Sequence, residues 1–275
     1  MRGASVAEAL DGASVAIEAS GSASARLDAE LLLAEAIGAD RGALVTANDR
    51  ELSGAETRRF QELVTRRVRD GEPVAYLLGR RGFRWIEVEV DPRVLVPRPE
   101  SELLVEAALA LPEGSRVLDV GTGSGAVALA LKDERPDLRV TGSDVSADAL
   151  DVARANRDRL SLDVAFEQAD LLEGLGGAWD AILSNPPYVA ESDRGSLPRE
   201  LGHEPAGALF AGADGLEVIR RLLPAAAASE ATMVAVEVGE GQADGVGVLA
   251  GAAGFPEVQV LADLAGIGRV VVGRR

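Results

Sequence analysis

Apolar residues change their spacing twice along the chain, and each change marks a different kind of structure. Up to about residue 72 they recur every three or four positions. In the stretch from Glu56 to Val68, Phe60, Leu63, Val64 and Val68 share one face, with arginine pairs on the other. A second apolar-rich run, Ala29 to Ile37, ends at Gly38, a helix stop. Strand-like alternation is absent here, so residues 1–72 are expected to form a small helical domain. From 73 to 98 the character shifts. Pro73, Gly79 and Gly82 punctuate the chain, and Trp85 to Val90 alternates apolar with acidic. This predicts a strand with one buried face, with Val94–Val96 as its pairing partner, in a β-hairpin linker that exits through Pro97 and Pro99.

Residues 99–275 repeat strand then helix. The pattern predicts helices over Ser101–Ala110, Ser124–Lys132, Ala147–Arg159, Gly215–Ala228 (with Pro224 as a candidate kink) and Gln242–Ala253. Strands are expected at Arg116–Val120, Arg139–Ser143, Val164–Glu167, Trp179–Ser184 and Thr232–Val238, then a final hairpin of Glu257–Leu261 with Arg269–Val272. Such alternation implies an α/β fold, a doubly wound, mostly parallel sheet whose terminal hairpin adds one antiparallel strand.

Composition narrows the chemistry. Hydrophobic residues make up 47% and charged residues 27%, which suits a folded core. Aromatics are only 3%, so Ala, Val and Leu must carry that core. With no cysteine and one histidine, disulfides, thiolate chemistry and a metal site are not expected. The N-terminus lacks a signal-peptide layout, and no apolar run reaches the roughly 20 residues of a membrane span, so a cytoplasmic protein with no membrane partner is expected. A net charge of −17 disfavours charge-driven nucleic-acid binding. Against that trend, Arg58 to Arg98 holds ten arginines and six acids. That cluster is either a solvated face or a docking surface for an acidic partner.

Two segments carry chemistry. Gly121-Thr122-Gly123-Ser124-Gly125 follows a predicted strand and opens a helix, so its main chain can approach a ligand closely. The spacing is Gly-x-Gly-x-Gly, unlike the dinucleotide fingerprint. Asp119, just before the turn, suits an ammonium group, which a methionine moiety has and a dinucleotide lacks. Together these point to S-adenosylmethionine, with S-adenosylhomocysteine as product. Asp144, nineteen residues past Gly125, can accept from ribose hydroxyls, with Ser146 competing as helix cap. Asp170 and Leu171 are candidates for the adenine edge.

The other segment is Asn185-Pro186-Pro187-Tyr188, after a strand. A planar nitrogen has a delocalised lone pair and must be aimed at the methyl carbon. The side-chain oxygen of Asn185 and the carbonyl of Pro186 can accept its two N–H protons, and paired prolines stiffen the backbone that holds them. Tyr188 offers a ring face for a flat group. Catalytic roles are therefore expected for Asn185, Pro186 and Tyr188, with Pro187 completing the substrate-binding set and Asn185 also near the cofactor. On these residues alone, the flat group could be an amide or the exocyclic amine of a base in RNA or DNA.

Taken together, the chain resembles the N5-glutamine methyltransferases of peptide chain release factors. The resemblance runs through Arg66-Arg67, Gly71-Glu72-Pro73-Val74-Ala75-Tyr76, Val96-Pro97-Arg98-Pro99-Glu100-Ser101-Glu102, the glycine loop, Asn185–Tyr188, Glu204-Pro205, Asp214-Gly215-Leu216 and Asp263-Leu264 to Arg269-Val270. It implies a Rossmann-like class I methyltransferase with a seven-stranded sheet. It implies as substrate the Gln of the Gly-Gly-Gln loop of a bacterial class 1 release factor, gripped partly by the helical front domain. Asn185 and Pro186 would hold the amide, and Gly121 to Gly125, Asp144 and the Leu171 position would contact the cofactor. A monomer without direct nucleic-acid contact is expected. Two positions depart from the family: Ser101 stands where Thr is usual, and His203 where an aromatic is common. His203 is expected to pack or hydrogen-bond, not to act as a base.

Overall fold

The structure, a computed structural model, describes residues 3–275, so the first two residues of the expected helical domain lie outside the described residues. Ser5 and Glu8 exchange side-chain and main-chain hydrogen bonds, so α1 (Val6–Ala19) opens on a capping box. α2 (Ala25–Ile37) stops at Gly38, which turns left-handed at φ 67°. After α3 (Ala43–Thr46), Ser53 and Glu56 form a second capping box at the head of α4 (Gly54–Thr65). α4 continues as a π-helical turn, Arg66–Asp70, and α5 (Val74–Leu78) follows Pro73. Leu10, Ile17, Leu32, Leu33, Phe60 and Leu63 meet in one core. Each such burial contributes about 1.5–3 kcal/mol before chain entropy is subtracted.

Residues up to Gly79 form one compact unit together with Pro198–His203, a segment remote in sequence. Arg67 explains how that segment is held. Its guanidinium is buried between Asp28 at 2.9 Å and Glu200 at 2.8 Å. Arg199 donates to the Arg69 carbonyl at 2.9 Å, and His203 Nε2 donates to the Asp70 carbonyl at 2.9 Å. His203 thus has the hydrogen-bonding role expected of it.

Arg80–Leu197 and Glu204–Arg275 form the second unit. It begins with a hairpin, β1 (Arg80–Phe83) against β2 (Ile86–Glu89). The expected partner of β2, Val94–Val96, is not a strand. It lies between Pro92 and Pro97, Val94 N–H closes a turn onto the Asp91 carbonyl, and Val96 N–H goes to the Glu204 carboxylate at 3.4 Å, so no ladder of main-chain bonds is left to form. The true partner is β1, joined to β2 by the two residues Arg84 and Trp85, with Arg84 left-handed at φ 48°.

The rest alternates: α6 (Glu102–Ala108), β3 (Arg116–Val120), α7 (Ala126–Glu134), β4 (Arg139–Asp144), α8 (Ala147–Leu160), β5 (Ala165–Gln168), β6 (Ala181–Ser184), α9 (Ala206–Leu209), α10 (Glu217–Ala228), β7 (Met233–Glu237), α11 (Ala243–Ala253), β8 (Glu257–Ala262) and β9 (Gly268–Arg274). α6 is shorter than Ser101–Ala110, because Pro99–Ser101 makes a 3-10 turn first. α10 runs through Pro224 without a break. The sheet order is β5-β4-β3-β6-β7-β9-β8, and only β9 runs against the others. This is the expected seven-stranded, doubly wound sheet. β6 and β7 are buried along their whole length, as strands covered on both faces must be. Ile219, Leu222, Leu223 and Ala226 form the apolar stripe of α10 and pack with Leu118, Ile182, Val234 and Phe255. Strand order reverses between β3 and β6, which opens a crevice beyond their carboxyl ends.

The arginine cluster of Arg58–Arg98 is largely committed to neighbouring acids. Arg59, Arg66, Arg67, Arg69, Arg80, Arg84, Arg93 and Arg98 each lie within ion-pair distance of a carboxylate. Among the described residues no helix is long and apolar enough to cross a membrane.

Candidate active site

A cavity of about 460 Å3 occupies the crevice, within the usual size range of small-molecule sites. One end is the glycine loop. Gly121 and Thr122 both donate main-chain N–H groups to the Ser143 carbonyl, at 2.8 and 2.9 Å, tying the loop to the end of β4. Gly121, Gly123 and Gly125 have φ of 73°, 54° and 82°. Any other residue would pay about 1–2 kcal/mol at each. A Cβ on Gly123 would meet no protein atom within 4 Å, so that face of the loop is open to a ligand. Gly125 does not line the cavity; it packs on Leu129, Phe166 and Ala153 and starts α7.

Asp119 is buried beside the loop and accepts the Thr122 hydroxyl at 2.6 Å. Burial pushes its carboxyl up to about 7, offset in part by the Thr122 hydroxyl and the Ala128 N–H, with the nearby Asp144 charge adding to the rise. A cation placed there would relieve that cost. Asp144 is held by two main-chain donors, Gly123 N–H and Ser146 N–H, each at 2.9 Å. Its carboxyl is also raised, chiefly by burial. The helix-cap role falls to Ser146, which accepts from Ala149, so Asp144 keeps its remaining lone pairs for the cavity. Leu171 lines the wall in a left-handed conformation, φ 55°. Asp170 lines it too, but its carboxylate is engaged by Arg221 at 2.7 Å. Val145, exposed and apolar, faces the same space.

The other end is the loop after β6. Asn185, Pro186 and Pro187 line the cavity. The Ser184 hydroxyl donates to the Val120 carbonyl at 2.8 Å, anchoring the loop's start. Gln242 anchors its far end, donating to the Tyr188 carbonyl at 3.0 Å while accepting from Gly239 N–H at 2.8 Å. Gly215 lies so close that a Cβ there would sit 2.2 Å from the Tyr188 carbonyl oxygen. Asn185 Nδ2 donates to Ser101 Oγ at 3.0 Å, and Ser101 Oγ donates to Glu237 Oε2 at 2.5 Å. Among the described residues nothing donates to Asn185 Oδ1 or to the Pro186 carbonyl. Tyr188 is set apart from the lining residues. Its hydroxyl donates to Glu237 Oε1 at 3.4 Å, and burial, with the Glu237 charge, raises its phenol above the usual range.

Sequence reasoning missed Glu237 and Asn156. Glu237 closes β7, a strand otherwise apolar, and a charge at the carboxyl end of a parallel strand is the signal that could have found it. Burial lifts its carboxyl to about 7, aided by Glu100 and opposed by Ser101, Tyr188 and Arg269. Asn156, fully buried in α8, donates to the Ser124 carbonyl and the Glu89 carbonyl at 3.0 Å each and accepts from Glu89 N–H at 2.7 Å. It joins the glycine loop to the hairpin. Among the described residues no group of three or more His, Cys, Asp or Glu is arranged to hold a metal.

Comparison with known proteins bears on the fold and the family. Residues 99–244 match the family described as "Methyltransferase small domain", and residues 8–79 match "PrmC N-terminal domain". The release factor glutamine methyltransferase of Koribacter versatilis is 41% identical over 276 residues, covering 98% of this chain and 98% of the relative. That of Xylella fastidiosa (strain 9a5c) is 44% identical over 256 residues, covering 90% of this chain and 93% of the relative. A methyltransferase from Pyrococcus furiosus of known structure shares the fold, with a TM-score of 0.52 at 20% identity over 68% of this chain and 87% of that one. A glycine loop with a buried carboxylate, a second carboxylate clamped by main-chain donors and a proline-stiffened pair of free acceptors occur here in a chain that matches such relatives along nearly its whole length, and the chain belongs to the release factor glutamine methyltransferase family.

Proposed function

We infer that this chain transfers a methyl group from S-adenosylmethionine to the side-chain amide nitrogen, N5, of a glutamine in a peptide chain release factor. The observation that carries the residue assignment is the pair of unused acceptors, Asn185 Oδ1 and the Pro186 carbonyl, on the wall of the same cavity as the glycine loop. The residues fit the cofactor. Asp119 is a buried carboxylate suited to an ammonium group, Asp144 presents fixed acceptors for two ribose hydroxyls, and the main chain from Gly121 to Ser124 forms the floor. Because Asp170 is engaged by Arg221, the apolar surface for adenine comes from Leu171 and Val145, with Asp170 beside them.

When bound, S-adenosylmethionine supplies a methyl group on a positively charged sulfur. The chain's own contribution is to aim the nucleophile. Asn185 Oδ1 and the Pro186 carbonyl accept the two amide N–H protons, so the nitrogen can present only its remaining face. Orientation of this kind supplies much of a barrier reduction when the electrophile is already reactive. The proton left on the methylated nitrogen goes to water after transfer, so no side chain need act as a strong base. Tyr188 supports the site from behind, through Glu237, and Pro187 stiffens the loop.

The glutamine is that of the Gly-Gly-Gln loop of a class 1 release factor, and the helical unit contributes to docking that protein. The chain acts as a monomer. Engagement of the Arg58–Arg98 cluster by acids favours a protein substrate over a nucleic-acid strand, which would need those charges free. Mass spectrometry of release factor incubated with the enzyme and cofactor tests the reading. One added methyl on the Gly-Gly-Gln peptide is expected. Labelling confined to RNA or DNA, when both are offered with labelled cofactor, would overturn it.

A further inference from the structure

We propose that Ser101 and Glu237 are positioning residues that decide which end of the Asn185 carboxamide faces the cavity. The inference rests on the reading of Asn185 as the holder of the substrate amide. A carboxamide has two ends of nearly equal shape, one accepting and one donating. If Asn185 turned over, its NH2 would face the NH2 of the substrate, two donors would oppose each other, and the clamp would fail. Nothing within Asn185 itself sets the choice.

The buried relay behind it does. An ionised Glu237 can only accept. It takes the single hydroxyl proton of Ser101 at 2.5 Å on one oxygen and the Tyr188 hydroxyl at 3.4 Å on the other. With its proton committed, Ser101 Oγ has only lone pairs to offer Asn185, and these must be met by Nδ2–H, as they are at 3.0 Å. Oδ1 is thereby turned to the cavity. Ser101 is 3% exposed and Glu237 1%, so water has little access to exchange partners with them. The relay therefore runs one way, from Asn185 through Ser101 to Glu237. Protonating Glu237 would make it a donor to Ser101, free the serine proton to point at Asn185, and undo the orientation. The charged and titratable groups around Glu237 are Glu100 beside Ser101, Tyr188 on the loop and Arg269 on β9, with Arg98 acting through Tyr188.

The test uses full-length enzyme, purified release factor and saturating cofactor, with cofactor affinity measured separately by calorimetry. Ser101→Ala should lower kcat roughly tenfold to hundredfold while KM for release factor and cofactor Kd stay within about threefold. Ser101→Thr, which keeps the hydroxyl, should restore kcat. In the parent enzyme kcat should rise with pH through a limb near 7, since the ionised form of Glu237 is the working one; Glu237→Gln, which keeps an acceptor but cannot titrate, should lose that limb. A Ser101→Ala enzyme with parental kcat, a Ser101→Thr enzyme as impaired as the alanine variant, or a limb that survives in Glu237→Gln would overturn the proposal. Full activity in Asn185→Ala would instead sink the reading beneath it, and the two failures are told apart by making both variants.

Discussion

Around Gly123 the cavity wall is main chain, whereas around Asn185 it is a relay of side chains. At the end proposed for the cofactor, Asp144 is held by two N–H groups of the backbone, and the loop itself is tied by backbone to Ser143. At the end proposed for the substrate amide, Asn185 is bonded to Ser101, Ser101 to Glu237, and Glu237 receives Tyr188. The first arrangement fixes its groups through the backbone itself. The second suits a group that must be aimed, because each link transmits direction as well as contact.

Substitutions should separate the two ends. Asn185→Ala is expected to have the largest effect, a fall in kcat on the order of 10^3-fold with cofactor Kd changed only slightly, measured by labelled methyl transfer and by calorimetry. A collapse of both quantities would mean the ends are not separable. Gly215→Ala comes next. Its Cβ would press on the Tyr188 carbonyl and shift the loop, and a displacement of this order costs roughly 10^2-fold in turnover, again with cofactor binding largely kept. Asp144→Ala should act on the other end, weakening cofactor binding roughly thirtyfold while kcat at saturation stays near parental. An unchanged Kd would remove Asp144 from the ribose contact.

The smallest effect concerns pH. Burial holds a proton on Asp119 up to about 7, and binding an ammonium group requires that proton to leave. Cofactor affinity should therefore rise with pH, by about fivefold between pH 6 and 7, below the range where the ammonium group itself loses its proton, accompanied by proton release visible as a buffer-dependent heat. Asp119→Asn should flatten the dependence. A flat profile in the parent chain would place the ammonium group elsewhere.

The same contrast governs what could be read from the sequence. The glycine loop and Asn185–Tyr188 are contiguous, and each announces its chemistry through local spacing. The sheet was legible because β3, β6 and β7 are mostly apolar, with their polar residues at or near the strand ends, and the helices between them have a periodic face. The relay was not, because Ser101 lies 84 residues from Asn185 and 136 from Glu237, and pairing across such distances leaves no periodic trace. Val94–Val96 misled for the opposite reason. Its residue types suit a strand, but the Glu204 carboxylate, 108 residues on, takes one of the N–H groups a ladder would need. Tyr188 reads as a platform from its ring alone; the reach of its hydroxyl to Glu237, 49 residues on, left no trace in the sequence.

Pro198–His203 folds with the helical unit although Leu197 before it and Glu204 after it belong to the other. The chain therefore passes between the units three times, not once. A chimera that grafts the front domain of a relative by a single splice near Gly79 would leave this hexapeptide facing a foreign surface and separate Glu200 from its Arg67 partner. Transplanting the helical unit between such enzymes would require moving two pieces of chain together, and the shorter one sits only ten residues past Tyr188, so the helical unit and the Asn185–Tyr188 loop are bound to be inherited as neighbours.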